Sequence, residues 1–215
     1  MTDRVIQPHP QDTPKRLPGA ITSSRQLLVE GESAKPFFIA LLRHIKLNGI
    51  QVQNFGGVTD LKDFLAALVN MSAFDTVDTL GIVRDAEKSA GRALQSVCSS
   101  LKRHGLAYPK APGLFEGSGP KVGVFILPDG KSPGMLEDLC LRSVGDDTAM
   151  PCLDRYFGCL ETADSLPKNL SKARVQAFLA SRAQPGLLLG QAAGRKYWPW
   201  EHPAFNRLKR FLRAM

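Results

Sequence analysis

Leu80-Gly81-Ile82-Val83-Arg84-Asp85-Ala86-Glu87 is the stretch on which the fold turns. A short apolar run ends abruptly in two carboxylates. Two other stretches share the pattern: Gln26-Leu27-Leu28-Val29 ends in Glu30-Gly31, and Val122-Gly123-Val124-Phe125-Ile126-Leu127 ends in Pro128-Asp129-Gly130, with Glu137-Asp138 soon after. Short apolar runs alternating with helix-like segments predict a parallel sheet and an α/β fold. In such sheets ligands bind outside the carboxyl ends of the strands, so these acids are expected to meet at one edge. Clustered like charges repel, and a bound cation relieves them. An all-oxygen set suits Mg2+ or Mn2+.

The chain has 215 residues, enough for one sizeable domain with appendages or two small ones. No apolar stretch is long enough to cross a bilayer, and the N-terminus lacks the apolar core of a signal peptide. Cys98, Cys140, Cys152 and Cys159 form no CxxC pair, which argues against zinc and redox motifs and for reduced structural thiols. A cytoplasmic protein without a membrane role is the expectation. The net charge of +8 is unevenly placed: residues 168–215 hold ten Lys/Arg against one acid, Glu201, whereas residues 1–167 hold eighteen against nineteen. A segregated basic segment fits contact with a phosphate backbone, and it fits equally a solvated helical surface.

Residues 1–24, with four prolines, read as a flexible tail or an arm that wraps the domain. Strands are expected at 26–30, 50–55, 77–83 and 122–127. Between them lie helices: one capped near Ser33 and carrying Phe37, Phe38, Leu41, Leu42 and Ile45, one after Asp60 carrying Phe64, Leu65, Leu68 and Val69, and one over 87–104. Residues 106–120 read as a loop. After Gly134 the pattern turns helical, over 135–144, 152–161, 171–183 and 203–213, with Gly186 to Gly190 the one candidate strand. The division is thus a tail (1–24), an α/β domain (25–133) and a basic helical extension packed on it (134–215). The last helix carries Phe205, Leu208 and Leu212 as an apolar stripe, with Arg207, Lys209, Arg210 and Arg213 mostly elsewhere.

Leu28-Val29-Glu30-Gly31 resembles the first signature of TOPRIM domains, found in topoisomerases, bacterial primases and OLD-family nucleases. Asp85-Ala86-Glu87, with Gly91 downstream, resembles their paired-acid signature, and Leu127 to Pro133 resembles the stretch after the next strand in bacterial primases. The C-terminal region, through Gly134 to Leu139 and Trp198 to Phe205, is similar to a group of stand-alone TOPRIM-like proteins. The resemblance covers residues 25–135 and implies a four-stranded, mainly parallel sheet flanked by helices. It implies that Glu30 is a general acid/base or a metal ligand and that Asp85 and Glu87 are metal ligands. Glu87 stands where aspartate is usual, and Gly91 falls one place late.

The expected function is Mg2+- or Mn2+-dependent phosphoryl transfer on nucleic acid, DNA or RNA, of a nuclease-like kind. A phosphodiester oxygen in transit gains negative charge that a cation offsets. Glu30, Asp85 and Glu87 would be catalytic, and Asp129 and Glu137 would support the metal. Arg84, Lys88, Arg207, Arg210 and Arg213 would contact nucleic acid. Gly31 would allow close approach of a phosphate, and the helix start near Ser33 would favour an anion.

Plainer readings exist for each residue. Glu30 and Asp85 could be helix-capping acids, and Glu87 a partner of its helix dipole. Asp129 could be a turn residue, and Glu137 could favour the start of its own helix. Arg84 and Lys88 could merely neutralise carboxylates, and Trp198 and Trp200 fit an anchoring role better than base stacking. Tyr108, Tyr156 and Tyr197 lack the context of a topoisomerase nucleophile. A non-catalytic module that binds nucleic acid or nucleotide, and a subunit of a larger nuclease or defence assembly with an ATPase partner, are the alternatives.

Overall fold

The computed structural model describes residues 16–215. Of the expected tail, residues 1–15 lie outside the described residues. The remainder runs along the second strand: the Gly19 N–H donates to Gln53 Oε1 (2.8 Å), the Thr22 N–H to Gln51 Oε1 (2.7 Å) and Ser23 Oγ to the Gly49 carbonyl (2.6 Å).

The chain is α/β. It runs through β1 (Arg25–Glu30), α1 (Ala34–His44), β2 (Ile50–Gly56), α2 (Leu61–Val69), β3 (Thr79–Asp85), α3 (Ala90–Arg103), β4 (Phe115–Glu116) and β5 (Lys121–Leu127). Five helices follow: α4 (Leu136–Ser143), α5 (Met150–Thr162), α6 (Leu170–Ala180), α7 (Leu189–Gly194) and α8 (Asn206–Arg213). The sheet order is β2-β1-β3-β5-β4, parallel except for β4. The sheet has five strands where four were expected. The extra one is a two-residue antiparallel edge in the segment read as loop, too short to show any alternation. Gly186 to Gly190 forms no strand; Leu189 and Gly190 open α7 instead. That helix needs Gly190, because a Cβ there would lie 2.4 Å from the Ser33 carbonyl and from Pro36 on α1.

Leu27, Leu28 and Val29 are all buried, as are Ile82, Val83, Val124 and Phe125. Central parallel strands are covered on both faces, hence the unbroken apolar runs. Side chains alternate between two cores. Leu28, Leu80, Ile82, Val122 and Val124 face α2 and α3. Leu27, Val29, Val83 and Phe125 face α1 and the helices after Gly134. Trp198 and Trp200 are buried in that second core. Trp198 Nε1 donates to the Leu189 carbonyl (3.1 Å), and Trp200 meets Phe37 edge-on, ring centroids 5.2 Å apart. Both tryptophans are anchors. Gly81 and Gly123, opposed across β3 and β5, make room for Met215 and the Phe115 ring, which would lie 2.8 Å and 2.5 Å from a Cβ there.

This topology places the site. After β1 the chain goes to α1 on one face, and after β3 it goes to α3 on the other. β1 and β3 are neighbours. Two adjacent parallel strands whose exits diverge to opposite faces leave a crevice between them, the usual place for a ligand in such sheets.

Candidate functional site

Glu30 ends β1 and Asp85 ends β3, so the crevice begins with two carboxylates. The Asp85 N–H donates to Glu30 Oε2 (3.3 Å), which joins the two strand ends. Asp85 Oδ1 accepts from the Leu136 N–H (2.9 Å), the first turn of α4, so a helix N-terminus also points at this acid. Glu87 and Gly134 exchange two backbone hydrogen bonds, of 2.9 and 2.8 Å. That pairing holds Glu87 at φ 51°, a left-handed conformation that costs a non-glycine residue about 1 kcal/mol or more. It is also why α3 starts at Ala90, after Ser89 rather than Glu87. Strain of this kind persists where surrounding structure over-determines it. Here it presents the exposed Glu87 side chain to the crevice.

Glu30, Glu32, Asp85, Glu87 and Glu137 line one cavity of about 420 Å3, together with Gly31, Gly56 and Gly57. One basic side chain, Lys172 of α6, shares the lining. Burial raises the Glu30 carboxyl, against the pull of Arg84. Burial also pushes Asp85 well up, and the charges of Glu30, Glu137 and Glu87 add to it. Glu137 is raised by burial as well. Carboxyl groups raised by burial and by one another in this way mark a candidate place for a cation or a proton.

Arg84 lies behind the crevice, not in it. It is 6% exposed on the α3 side of β3, with Nε 3.7 Å from Glu30 Oε2 and Nη1 bonding the Ala93 carbonyl (3.5 Å). Its Nε is buried without a hydrogen-bond partner. A guanidinium so enclosed does not reach nucleic acid, which corrects the expectation for this residue. It is the buried counter-charge of Glu30. Lys88 is exposed beside Glu87.

Asp129 is separate from the cluster. Its Oδ1 accepts from the N–H groups of Lys131 (2.9 Å) and Ser132 (2.8 Å), and its Oδ2 accepts from Ser132 Oγ (2.8 Å) and Arg142 Nη1 (2.5 Å). Burial would raise this carboxyl, but the bonds from Ser132, Arg142 and Lys131 hold it well below the usual range. Asp129 thus closes its own turn and pairs with Arg142, and it does not line the cavity in which it was expected to support a metal. Arg207, Arg210 and Arg213 are exposed along α8, and none of them lines the acid-lined cavity. Lys209 is instead buried, donating to the Trp200 carbonyl (2.9 Å).

Lys172 was not foreseen. It is one cation in a basic, loosely patterned region, and only the packing of α6 against α4 brings it beside Glu30 and Asp85, both remote in sequence. Glu32, paired with Arg16, was likewise unmarked.

Among the described residues no group of three or more His, Cys, Asp or Glu side chains is placed to hold a metal ion by itself. The donor chemistry nonetheless suits one kind of ion. Mg2+ keeps several waters and takes one or two carboxylates plus substrate oxygens rather than a full protein cage. Glu30, with Arg84 behind it, and Asp85, joined to it at the strand ends, are the two carboxylates that would hold such an ion.

The molecule is thus an α/β protein with an acid-lined crevice at the point where its crossovers diverge. Residues 24–215 match the family described as "Protein of unknown function (DUF3226)", and the chain belongs to that family. No curated protein matches it. Among solved structures it is similar to the C-terminal region of the Xanthomonas campestris pv. campestris OLD protein, at 14% identity and a TM-score of 0.37 over 91% of this chain and 88% of that one. No helix among the described residues is long and apolar enough to cross a membrane.

Proposed function

We propose that this protein is a divalent-metal-dependent phosphoryl-transfer enzyme acting on nucleic acid, of a nuclease-like kind. The observation that carries the reading is the crevice itself: Glu30, Asp85, Glu87 and Glu137 line one cavity at the diverging ends of β1 and β3. The TOPRIM resemblance of the same residues supports it. Asp85 and Glu30 would hold Mg2+ or Mn2+, with Glu87 and Glu137 at its waters. When bound, such a cation offsets the charge that builds on a phosphodiester under attack.

The chain's own residues supply the rest. Burial raises the Glu30 carboxyl while Arg84 pairs with it, an environment in which it would serve as a general acid or base in place of holding the ion. Its partner bond from the Asp85 N–H fixes the carboxylate between the two strands. Gly31, at φ 87°, has nothing within 4 Å of a hypothetical Cβ, which leaves the mouth open to a phosphate. Lys172 gives the cavity one cation to meet that phosphate.

The missing third ligand favours a second reading, a non-catalytic nucleic-acid or nucleotide binding module. One experiment separates the two. Purified protein is incubated with Mg2+ or Mn2+ and labelled single- and double-stranded DNA and RNA. Cleavage abolished by Glu30→Gln and by Asp85→Asn, in proteins that still fold, supports the enzyme. Salt-dependent binding with no cleavage of any substrate supports the module and rejects the enzyme.

A further inference from the structure

A second cavity, of about 370 Å3, lies between the 111–114 segment, the 129–131 turn and α8. Lys131, Arg207 and Arg210 line it, together with Leu114, Pro112 and Phe211. Leu114 is 51% exposed, an apolar side chain left in water beside three cations. Asp129 also lines the cavity, but its carboxylate is already engaged by Arg142 and by its own turn. Arg207 is held in place by donating Nη1 to the Asp129 carbonyl (2.7 Å). Among the described residues no acidic partner pairs with Lys131, Arg207 or Arg210. The lining thus keeps an uncompensated positive charge and has an apolar wall.

That combination selects a ligand class. A phosphate monoester carries about 1.5 to 2 negative charges at neutral pH, more than an internal phosphodiester, and it offers three acceptor oxygens. Arginine guanidinium groups match phosphate geometry. A flat apolar group attached to the phosphate would cover Leu114 and Pro112, as ligand pockets commonly pair a few polar contacts with apolar walls. We propose that this cavity binds a phosphate monoester carried by a nucleoside, either a free nucleotide or the phosphorylated end of a strand. The 128–136 stretch runs from here to the acidic crevice, with Arg207 on the Asp129 carbonyl at one end and Asp85 on the Leu136 N–H at the other. The proposal does not require turnover in that crevice.

The test is equilibrium binding in EDTA, where metal-dependent cleavage cannot occur. The probes are a labelled oligonucleotide phosphorylated at its 5′ end, one phosphorylated at its 3′ end and one with neither, each competed with adenosine monophosphate or inorganic phosphate. A phosphorylated oligonucleotide is expected to bind about tenfold tighter than the bare one. That preference should vanish in the Lys131→Ala/Arg210→Ala double variant, whose altered side chains are exposed, and persist in Asp85→Asn. Adenosine monophosphate should compete better than inorganic phosphate. If it matches the oligonucleotide in affinity the natural ligand is a free nucleotide, and if the oligonucleotide is tighter it is a strand end; both support the proposal. Equal binding of all three oligonucleotides, survival of the preference in the double variant, or equal competition by inorganic phosphate would overturn it.

Discussion

Asp85 and Asp129 leave neighbouring strands, β3 and β5, at the same edge of the sheet, and their carboxyls move in opposite directions. Asp85 is pushed well up by burial and by the charges of Glu30, Glu137 and Glu87, against one backbone donor. Asp129 is held down by two backbone N–H groups, a hydroxyl and a guanidinium. An acid at a strand end is therefore not yet a ligand. The donors around it decide whether its charge is spent on the fold or left for something that binds. By that measure the β1–β3 crevice is short of positive charge, and the turn after β5 is satisfied.

The largest expected effect comes from removing the one cation behind the crevice. Arg84→Leu should lower stability by about 3 kcal/mol at pH 8, because Glu30 becomes a buried charge without its principal counter-charge. Burial already raises the Glu30 carboxyl, and losing Arg84 raises it further, so the loss should shrink as pH falls toward the ordinary carboxylate range. Adding Glu30→Gln should restore most of it in a denaturant-unfolding cycle. A double variant as unstable as Arg84→Leu alone would show that Arg84 acts by packing.

Asp129→Ala should cost about 2 kcal/mol, since two backbone donors and Arg142 lose their acceptor. The depressed Asp129 carboxyl makes this contribution present above about pH 4 and lost as pH falls through its folded value. A Tm change within error at pH 7 would dissolve the contrast between the two acids from its satisfied side.

The smallest effect has the opposite sign. Asp85→Asn should raise the Tm at pH 7 by about 2–4 °C, the shift of about 1 kcal/mol in a chain of this size. Because the folded carboxyl is raised, the fold favours its protonated form, and stability falls as pH climbs from the unfolded value toward the folded one. Asparagine mimics the neutral state and can still accept from the Leu136 N–H. A lower Tm in metal-free buffer would argue that the crevice is not strained by repulsion.

Much of this was legible in the chain. The unbroken apolar runs at β1, β3 and β5 mark strands covered on both faces, and the acids that follow them mark the edge. Glu30, Asp85, Glu87 and Glu137 do line one cavity. What stayed hidden depends on direction and on contacts remote in sequence. Arg84 and Asp85 are adjacent, yet strand alternation sends one behind the sheet toward α3 and the other to the crevice. Pro128-Asp129-Gly130 looks like the other acidic exits; a turn role was readable beside that, but its contacts with the distant Arg142 and Arg207 were not. Lys172 has no local signal, because its role exists only through helix packing. The two-residue β4 is shorter than any pattern that could announce it.

Glu30 and Asp85 are proposed to form a site for a divalent cation, and thermal unfolding with calorimetric titration of the whole chain with Mn2+ or Mg2+ checks this. Saturable binding is expected, raising the Tm through about 2.7 kcal/mol of added stability at a hundredfold excess over Kd. The rise should be lost in Glu30→Gln and in Asp85→Asn and kept in Asp129→Asn. No binding to the wild-type chain, or binding undiminished when both Glu30 and Asp85 are neutralised, would contradict it.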